Sequence, residues 1–377
     1  MPDNDQSPTL ADAPRHSPLY DVHSALGATF TDFAGWQMPV RYSSDLAEHK
    51  AVREAAGIFD ISHMAEFTVT GAEAGDFLDY ALAGRLSALK VGRAKYSLLL
   101  TEHGGVIDDV IVYRLNDAEY LIISNAGNRD AVSTTLSTRT SGFDAAVADV
   151  SDNYALIAVQ GPRAEEILAA TADITDLGVP WHEQKYFAWA NASFRGSPLL
   201  LARTGYTGED GFELLVAADA AADLWNAVSE AGESHGLVPA GLAARDSLRL
   251  EAGMPLYGHE LSRDTKPAQA GLGRVVVTAK DAFVGKDAVT PDDDARVLVG
   301  LVSEGRRAGR AGYTVLAGDS EVGAVTSGIL SPTLGHPIAM AFVDRAQAEP
   351  GTALDIEVRG KRIPATVTTL PFYSRKK

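Results

Sequence analysis

The sequence predicts an α+β protein that closes with an all-β unit, and three observations carry that expectation. Up to about residue 255, apolar residues recur alternately at helical and at strand spacing. From Arg296 onward only short β-rich segments remain, split by Gly, Pro, Asp and Ser, a texture that fits a small barrel or sandwich. At 377 residues the chain also exceeds what one hydrophobic core usually organises, so two or three domains are expected, with a boundary near residue 265.

Taken in order, residues 1–18 are polar, proline-bearing and acidic, lack the apolar core of a secretion signal, and are expected to form a disordered tail. "SSDLAEHKAVREAAG" begins with a candidate serine cap, carries Leu46, His49, Val52 and Ala56 at helical spacing, and stops at Gly57. Strands are expected in "EFTVTG", "YSLLL", "VIDDVIVYRL" and "EYLIISN", with a short helix around Phe77, Leu78 and Leu82 between the first two. A helix starts near Gly161-Pro162, where proline is preset for the first turn and Glu165 and Glu166 meet the positive end of the dipole. "FELLVAA" reads as a strand, and Leu224, Trp225 and Val228 share one face of a further helix. Beyond the boundary, "RVLVGLVSE", "GYTVLAG", "EVGAVTSG", "IAMAFVD" and "ALDIEVRGKRIPATVTTL" supply the strands of the last unit.

Composition narrows function mainly by exclusion. A formal charge of −17 weighs against a mainly nucleic-acid partner. The absence of cysteine removes disulfides, thiolate catalysis, iron–sulfur ligation and cysteine-based zinc sites. Nine histidines form neither HExxH nor any close pair, so a structural metal site has little support. No apolar run reaches the length that crosses a bilayer, and a cytoplasmic location is expected.

Three charged clusters interrupt the apolar pattern. "RTGYTGEDGFE" sets Gly205, Gly208 and Gly211 at intervals of three and leads into Glu213. A phosphate loop would need lysine and a hydroxyl residue after the last glycine, or two glycines opening a helix; Glu209 and Asp210 stand here instead. The alternative is a tight hairpin with Glu213 solvated. In "GGVIDDVIVYR", Asp108 and Asp109 are adjacent on a strand and point to opposite faces, so only one enters a given pocket; alternation does not say which. In "GLAARDSLRLEAG", Arg245 and Arg249 lie four apart on a helix, with Asp246 three before Arg249, as a solvated face would also have them. Together, one of the aspartates, Glu213 and Arg245 would suit a neutral, nitrogen-rich heterocycle with an anionic tail.

Six segments, "FAGWQMPVRY", "GIFDISHMAEF", "GGVIDDVIVY", "TGYTGEDGFE", "GLAARDSLRLEAGMPLYG" and "SPTLG", occur in the order and register of the T-protein, the aminomethyltransferase family of the glycine cleavage system, which the chain closely resembles after residue 18. The resemblance implies three domains around a central channel. These are a discontinuous first domain of 19–62 and 150–258, an inserted ferredoxin-like domain of 63–149, and a C-terminal Greek-key β-barrel domain of 266–377. It implies transfer of the one-carbon unit of an S-aminomethyl-dihydrolipoyl arm, carried by the H-protein, to tetrahydrofolate. The products are 5,10-methylenetetrahydrofolate, ammonia and the dihydrolipoyl H-protein.

Carried over position by position, the family's catalytic aspartate matches Asp109, its pterin-binding glutamate Glu213 and a folate-site arginine Arg245. Tyr96, Asn125, Tyr206 and Tyr257 are expected as walls or donors, and Tyr373 is expected to reach the site from the last domain. The resemblance implies no metal, flavin or pyridoxal phosphate. It also implies a transient complex with the lipoylated H-protein and a functional link to the P-protein and L-protein, with no membrane or nucleic-acid partner. Two relatives of the same fold compete: a folate-dependent demethylase, normally fused to a flavin module for which this chain shows no dinucleotide fingerprint, and a non-enzymatic folate-binding protein. The iron–sulfur-assembly members of the latter group carry a cysteine motif that is absent here.

Overall fold

A computed structural model describes residues 14–375. Four sheets organise it. The largest has seven strands in the order Ile174–Thr175, Trp189–Phe194, Ser197–Ala202, Gly211–Ala217, Tyr154–Gln160, Ala56–Asp60 and Leu237–Pro239. It therefore joins a strand near residue 58 to strands beyond residue 154. Alternation along its central strands builds two cores, one on each face. Ile58, Ile157, Leu214 and Val216 pack with Ile167, Leu224, Trp225 and Val228 of two helices on one side. Phe59, Leu156, Ala158 and Leu215 pack on the other side with Val52, Ala244 and Leu248.

Residues between these two stretches of the large sheet form a five-stranded antiparallel sheet ordered Ala94–Leu100, Val106–Asn116, Glu119–Ser124, Ala65–Thr70 and Ala146–Asp149. The helices Ala74–Ala81 and Arg129–Arg139 cover one face through Phe77, Leu78, Val132 and Leu136. This is a ferredoxin-like layering widened by one strand of a three-strand meander. Tyr113, Leu121 and Ile123 on its other face share a core with the seven-stranded sheet. Asp109 lies on the strand that runs along this seam.

The third unit is a closed six-stranded barrel. Numbered along the chain its strands lie in the order 1-4-3-2-5-6, the first pairing with the fourth and the sixth. That order is a Greek key. Val299, Leu301, Val315, Val325, Ile356 and Val367 fill the interior. Closure leaves no exposed edge on this sheet.

A small three-stranded sheet starts the described chain: Arg15–His16 runs parallel to Trp36–Arg41, which also pairs with Thr29–Phe33. The tail expected over residues 1–18 lies outside the described residues as far as 13. Its last part departs from that expectation, because Arg15 and His16 pair with Trp36 and Gln37, and Ser17 is buried with its hydroxyl 2.5 Å from Asp60. Backbone pairing and one buried hydrogen bond fix these residues despite their polar composition. No helix of the described residues is long and apolar enough to cross a membrane.

Candidate active site

A cavity of about 510 Å³ opens where the two large sheets, the hairpin tip at Phe33 and Ala34, and the segment after the helix Leu242–Glu251 meet. Seven of the eight residues expected at the site line it: Tyr96, Asp109, Asn125, Tyr206, Glu213, Arg245 and Tyr257.

Asp109 reaches the cavity and Asp108 does not, so the three-dimensional structure makes the choice that strand alternation left open. Tyr96 pairs across the sheet with Ile111, which puts it diagonal to Asp109 on the same face, and its hydroxyl donates to Asp109 Oδ2 at 3.0 Å. Asp108 is fully buried, not solvated. It accepts from the Asn125 backbone N–H at 3.0 Å, from Asn125 Nδ2 at 2.8 Å and from Asn128 Nδ2 at 2.7 Å, anchoring the turn that begins the next helix. Asn125 Nδ2 also donates to Asp109 Oδ1 at 2.8 Å, so one amide bridges the two neighbouring carboxylates. Burial raises both carboxyls above their ordinary range. For Asp108, the Asp109 charge adds to burial and lifts it to about 7. A carboxyl pair held in this way can take up and release a proton near neutrality.

Glu213 sits in the middle of the seven-stranded sheet, paired with Ala158 on one side and Ala202 on the other. Small cross-strand neighbours leave space beside its carboxylate. It is buried, which rules out the solvated hairpin, and Thr204 donates to Oε2 at 2.5 Å. Burial raises its pKa against the opposing pull of Thr204 and Arg245. Among the described residues it has no ion-pair partner within 4.0 Å.

Gly205 and Gly211 answer a packing need: a Cβ on either would collide with the side chain of Gln160, at 1.9 and 2.5 Å. Gln160 Nε2 donates to the Thr204 carbonyl at 3.0 Å, and its oxygen accepts from Thr207 Oγ1 at 2.9 Å. Gly208 supplies the left-handed turn, at φ +79°. The run thus wraps one buried glutamine and leaves Gly205 and Tyr206 on the cavity wall.

Arg245 projects from the helix Leu242–Glu251, whose start packs so closely on the hairpin strand that a Cβ on Gly241 would meet Val40 at 2.4 Å. Its guanidinium lies 4.8 Å over the Tyr206 ring, and the Tyr206 hydroxyl is fixed by the Pro255 carbonyl at 2.6 Å. Burial lowers its pKa, opposed by Glu213 and Tyr206, and an arginine stays charged regardless. Arg249, four residues on, behaves differently. It is 1% exposed, bonded to Asp246, Glu260, Ser327 and the Met254 carbonyl, and belongs to the barrel contact, not to a solvated face.

Tyr373 is a correction. It does not line the cavity: its ring lies 4.0 Å over the Arg53 guanidinium and its N–H donates to the Glu251 carbonyl at 2.8 Å. The tail after the barrel packs against the outer side of the glycine run, where Arg375 also meets Asp210 at 3.2 Å. Sequence reasoning passed over Phe33, His63, Tyr186 and Phe187, which line the cavity too. Of these, Phe187 adopts a left-handed φ of +54°, as does its fellow wall residue Ala34 at +52°, a conformation the sequence does not announce. Among the described residues no three His, Asp or Glu side chains converge as a metal site would require.

A cavity between a discontinuous sheet and a ferredoxin-like layer, lined by the carboxylates of Asp109 and Glu213 and the guanidinium of Arg245, in a chain that closes with a Greek-key barrel, is the architecture of a folate-type group-transfer protein. The comparisons name the branch. The GCVT N-terminal domain model matches residues 19–280, and the glycine cleavage T-protein C-terminal barrel domain model matches residues 296–374. The aminomethyltransferase of Cutibacterium acnes is 57% identical over 96% of this chain and 99% of its own length. That of Saccharopolyspora erythraea is 54% identical over 96% and 99%. The crystal structure of the glycine cleavage system aminomethyltransferase T from Bartonella henselae superposes with a TM-score of 0.87 at 38% identity, covering 95% of this chain and 98% of that one. The chain belongs to the glycine cleavage T-protein family, the tetrahydrofolate-dependent aminomethyltransferases.

Proposed function

We propose that this cavity transfers the one-carbon unit of an S-aminomethyl-dihydrolipoyl arm to tetrahydrofolate, giving 5,10-methylenetetrahydrofolate, ammonia and the free dithiol. The observation that carries the assignment of roles is the pair Glu213, buried, and Arg245, half-buried, both lining one cavity and neither holding an ion-pair partner within 4.0 Å among the described residues. Uncompensated buried charge is costly, so its retention points to a ligand that completes it. The guanidine-like edge of a pterin offers parallel N–H donors, which an acceptor-only carboxylate such as Glu213 complements. Arg245 suits an anionic or carbonyl group of the same substrate.

Asp109 is the acid–base group. The reaction expels thiolate from the aminomethyl carbon, leaving a methylene-iminium centre that N5 of the folate attacks with loss of its proton; ammonia then departs from the same carbon and N10, giving up its proton, closes the methylene bridge. A carboxylate near that carbon stabilises the developing positive charge, and a raised carboxyl can relay the protons the two amine steps release. Tyr96 and Asn125 hold its two oxygens in place. No covalent enzyme intermediate enters these steps, and positioning supplies much of the acceleration.

The same reading divides the chain into a discontinuous first domain, an inserted domain and the barrel, with the lipoyl arm of the H-protein as a transient visitor. The decisive experiment supplies aminomethylated H-protein and measures tetrahydrofolate-dependent ammonia release. Its absence, or activity with dimethylglycine and an electron acceptor instead, would overturn the proposal.

A further inference from the structure

Thr204 stands just before the wall residues Gly205 and Tyr206, does not itself line the cavity, and is buried. Its carbonyl accepts from Gln160 Nε2 at 3.0 Å, its hydroxyl donates to Glu213 Oε2 at 2.5 Å, and the Tyr113 hydroxyl lies 3.3 Å from the same Thr204 oxygen. A hydroxyl has one proton to give and an ionised carboxylate has none, so the order of donation is fixed: Tyr113 to Thr204, and Thr204 to Glu213. Tyr113 follows Asp109 by four residues on the strand Val106–Asn116 and shares its face. One threonine therefore couples the strand that carries Asp109 to the strand that carries Glu213.

What the hydroxyl leaves free matters as much as what it holds. Among the described residues Thr204 alone hydrogen-bonds the Glu213 carboxylate, and it takes only Oε2. Oε1 has no protein partner there, yet it is not sealed: it keeps accessible surface on a residue that lines the cavity. Three further groups face the carboxylate: Arg245 from the helix Leu242–Glu251, Tyr113 from the inserted sheet, and Tyr186 from the segment ahead of Phe187. Burial pushes the Glu213 carboxyl up, and the Thr204 bond opposes that ahead of the Arg245 charge. The bond that fixes the carboxylate is thus also the one that favours its ionised form.

The geometry points to Thr204 as a positioning residue for the transfer reaction: by holding Oε2 of Glu213, it presents Oε1 to the N–H edge of the bound heterocycle. This rests on the folate reading above. The torsion that ends a glutamate side chain is broad, so an untethered carboxylate would turn and offer its oxygens in many directions. Hydrogen bonds weaken steeply off line, and a carboxylate held by one oxygen loses less freedom when the ligand arrives. Gln160, packed against Gly205 and Gly211, fixes the Thr204 carbonyl and with it the origin of the hydroxyl.

The test uses the full chain with saturating aminomethylated H-protein and varied tetrahydrofolate. Thr204→Val, which keeps the branched shape and removes the hydroxyl, should raise the tetrahydrofolate KM about tenfold, the worth of one hydrogen bond, and leave kcat within about twofold. Thr204→Ser, which returns the hydroxyl, should recover most of the loss. The third readout is the pH profile. With its donor gone, Glu213 takes up a proton more readily, so the tetrahydrofolate affinity of Thr204→Val should fall away on the acid side at a higher pH than in wild type. A threonine that merely filled space would not move that limb. A wild-type KM in Thr204→Val, an unmoved acid limb, or no recovery in Thr204→Ser would overturn the inference while leaving the functional reading intact. Absence of tetrahydrofolate-dependent ammonia release by wild type would overturn that reading itself. If Thr204→Val does not fold, Thr204→Ala set against Thr204→Ser decides the matter on the same three readouts.

Discussion

The two ends of the helix Leu242–Glu251 hold charges under opposite conditions. Arg245, near its start, faces the cavity with a tyrosine ring beneath it and no anion in contact. Arg249 and Glu251, near its end, are saturated. Arg249 binds Glu260 at 3.0 Å and Asp246 at 2.8 Å. Glu251 takes Arg53 at 2.8 Å, the Thr333 N–H at 3.0 Å and the Ser331 hydroxyl at 2.5 Å. His49 adds a contact to Glu251 at 3.2 Å. The saturated end joins the sheets to the barrel; the open end faces the cavity. Buried charge alone therefore does not mark a functional site. What sets Glu213 and Arg245 apart is that they line the cavity without an ion pair among the described residues.

Predictions follow the size of the effect. The largest concerns chemistry on the open side. Asp109→Asn should lower kcat by roughly 10²–10⁴-fold, the range for one general acid–base group, with the fold and most of the folate affinity intact. Asp108→Asn should lower it less, because Asp108 acts through Asn125 and Asn128. Steady-state rates and folate titration of both variants check this, and a greater catalytic loss at 108 would reverse the assignment.

Next comes the saturated side. Arg249→Met leaves Glu260, itself fully buried, without its cation, and should cost about 3–5 kcal/mol of stability in urea unfolding. The folate Kd of the folded protein should hardly move. If affinity falls and stability does not, the two ends have been assigned the wrong way round.

Glu213→Gln puts an amide donor where an acceptor is wanted and should weaken tetrahydrofolate binding by about 2–5 kcal/mol. Ligand-free melting should change far less, since the ligand stabilises by mass action. Calorimetric titration together with melts, with and without folate, separates the two effects. Equal affinities would remove the pterin from this end of the cavity.

The smallest effect is a difference in sign with pH. For Glu251, burial alone would raise the carboxyl, but hydrogen bonds and charge from His49, with Ser331 and Arg53, outweigh it and hold it at about 2 against an ordinary 4.5. Its stabilising contribution is complete above 4.5 and is lost as pH falls toward 2. Asp108 shifts the other way, from 3.8 to about 7, mainly through burial. Here the folded state binds the extra proton, so the contribution is present below 3.8 and fades as pH rises toward 7. Unfolding free energy measured against pH should thus lose its acid-side rise in Glu251→Gln and its decline between about 4 and 7 in Asp108→Asn. Identical profiles in the two variants would erase the distinction between the regions.

The sequence by itself determined the α+β body, the β-rich close and the motifs around Asp109, Glu213 and Arg245. Periodicity and turn chemistry are local properties, and the six segments stand in the family's order. Periodicity could not separate Asp108 from Asp109, which only the family motif distinguished, because a strand offers both faces equally until helices cover one of them. Nor could it separate Arg245 from Arg249. Four residues advance a helix by about 6 Å, enough to carry the second guanidinium from the cavity to the barrel, and the barrel's position is not a local property. The resemblance brought Tyr373 toward the site, whereas packing set it on Arg53. His63 stood in a quoted motif, and packing alone sets it on the cavity wall. Whether a buried polar atom is paired is decided by residues distant in sequence, and only the folded chain brings them together or leaves them apart.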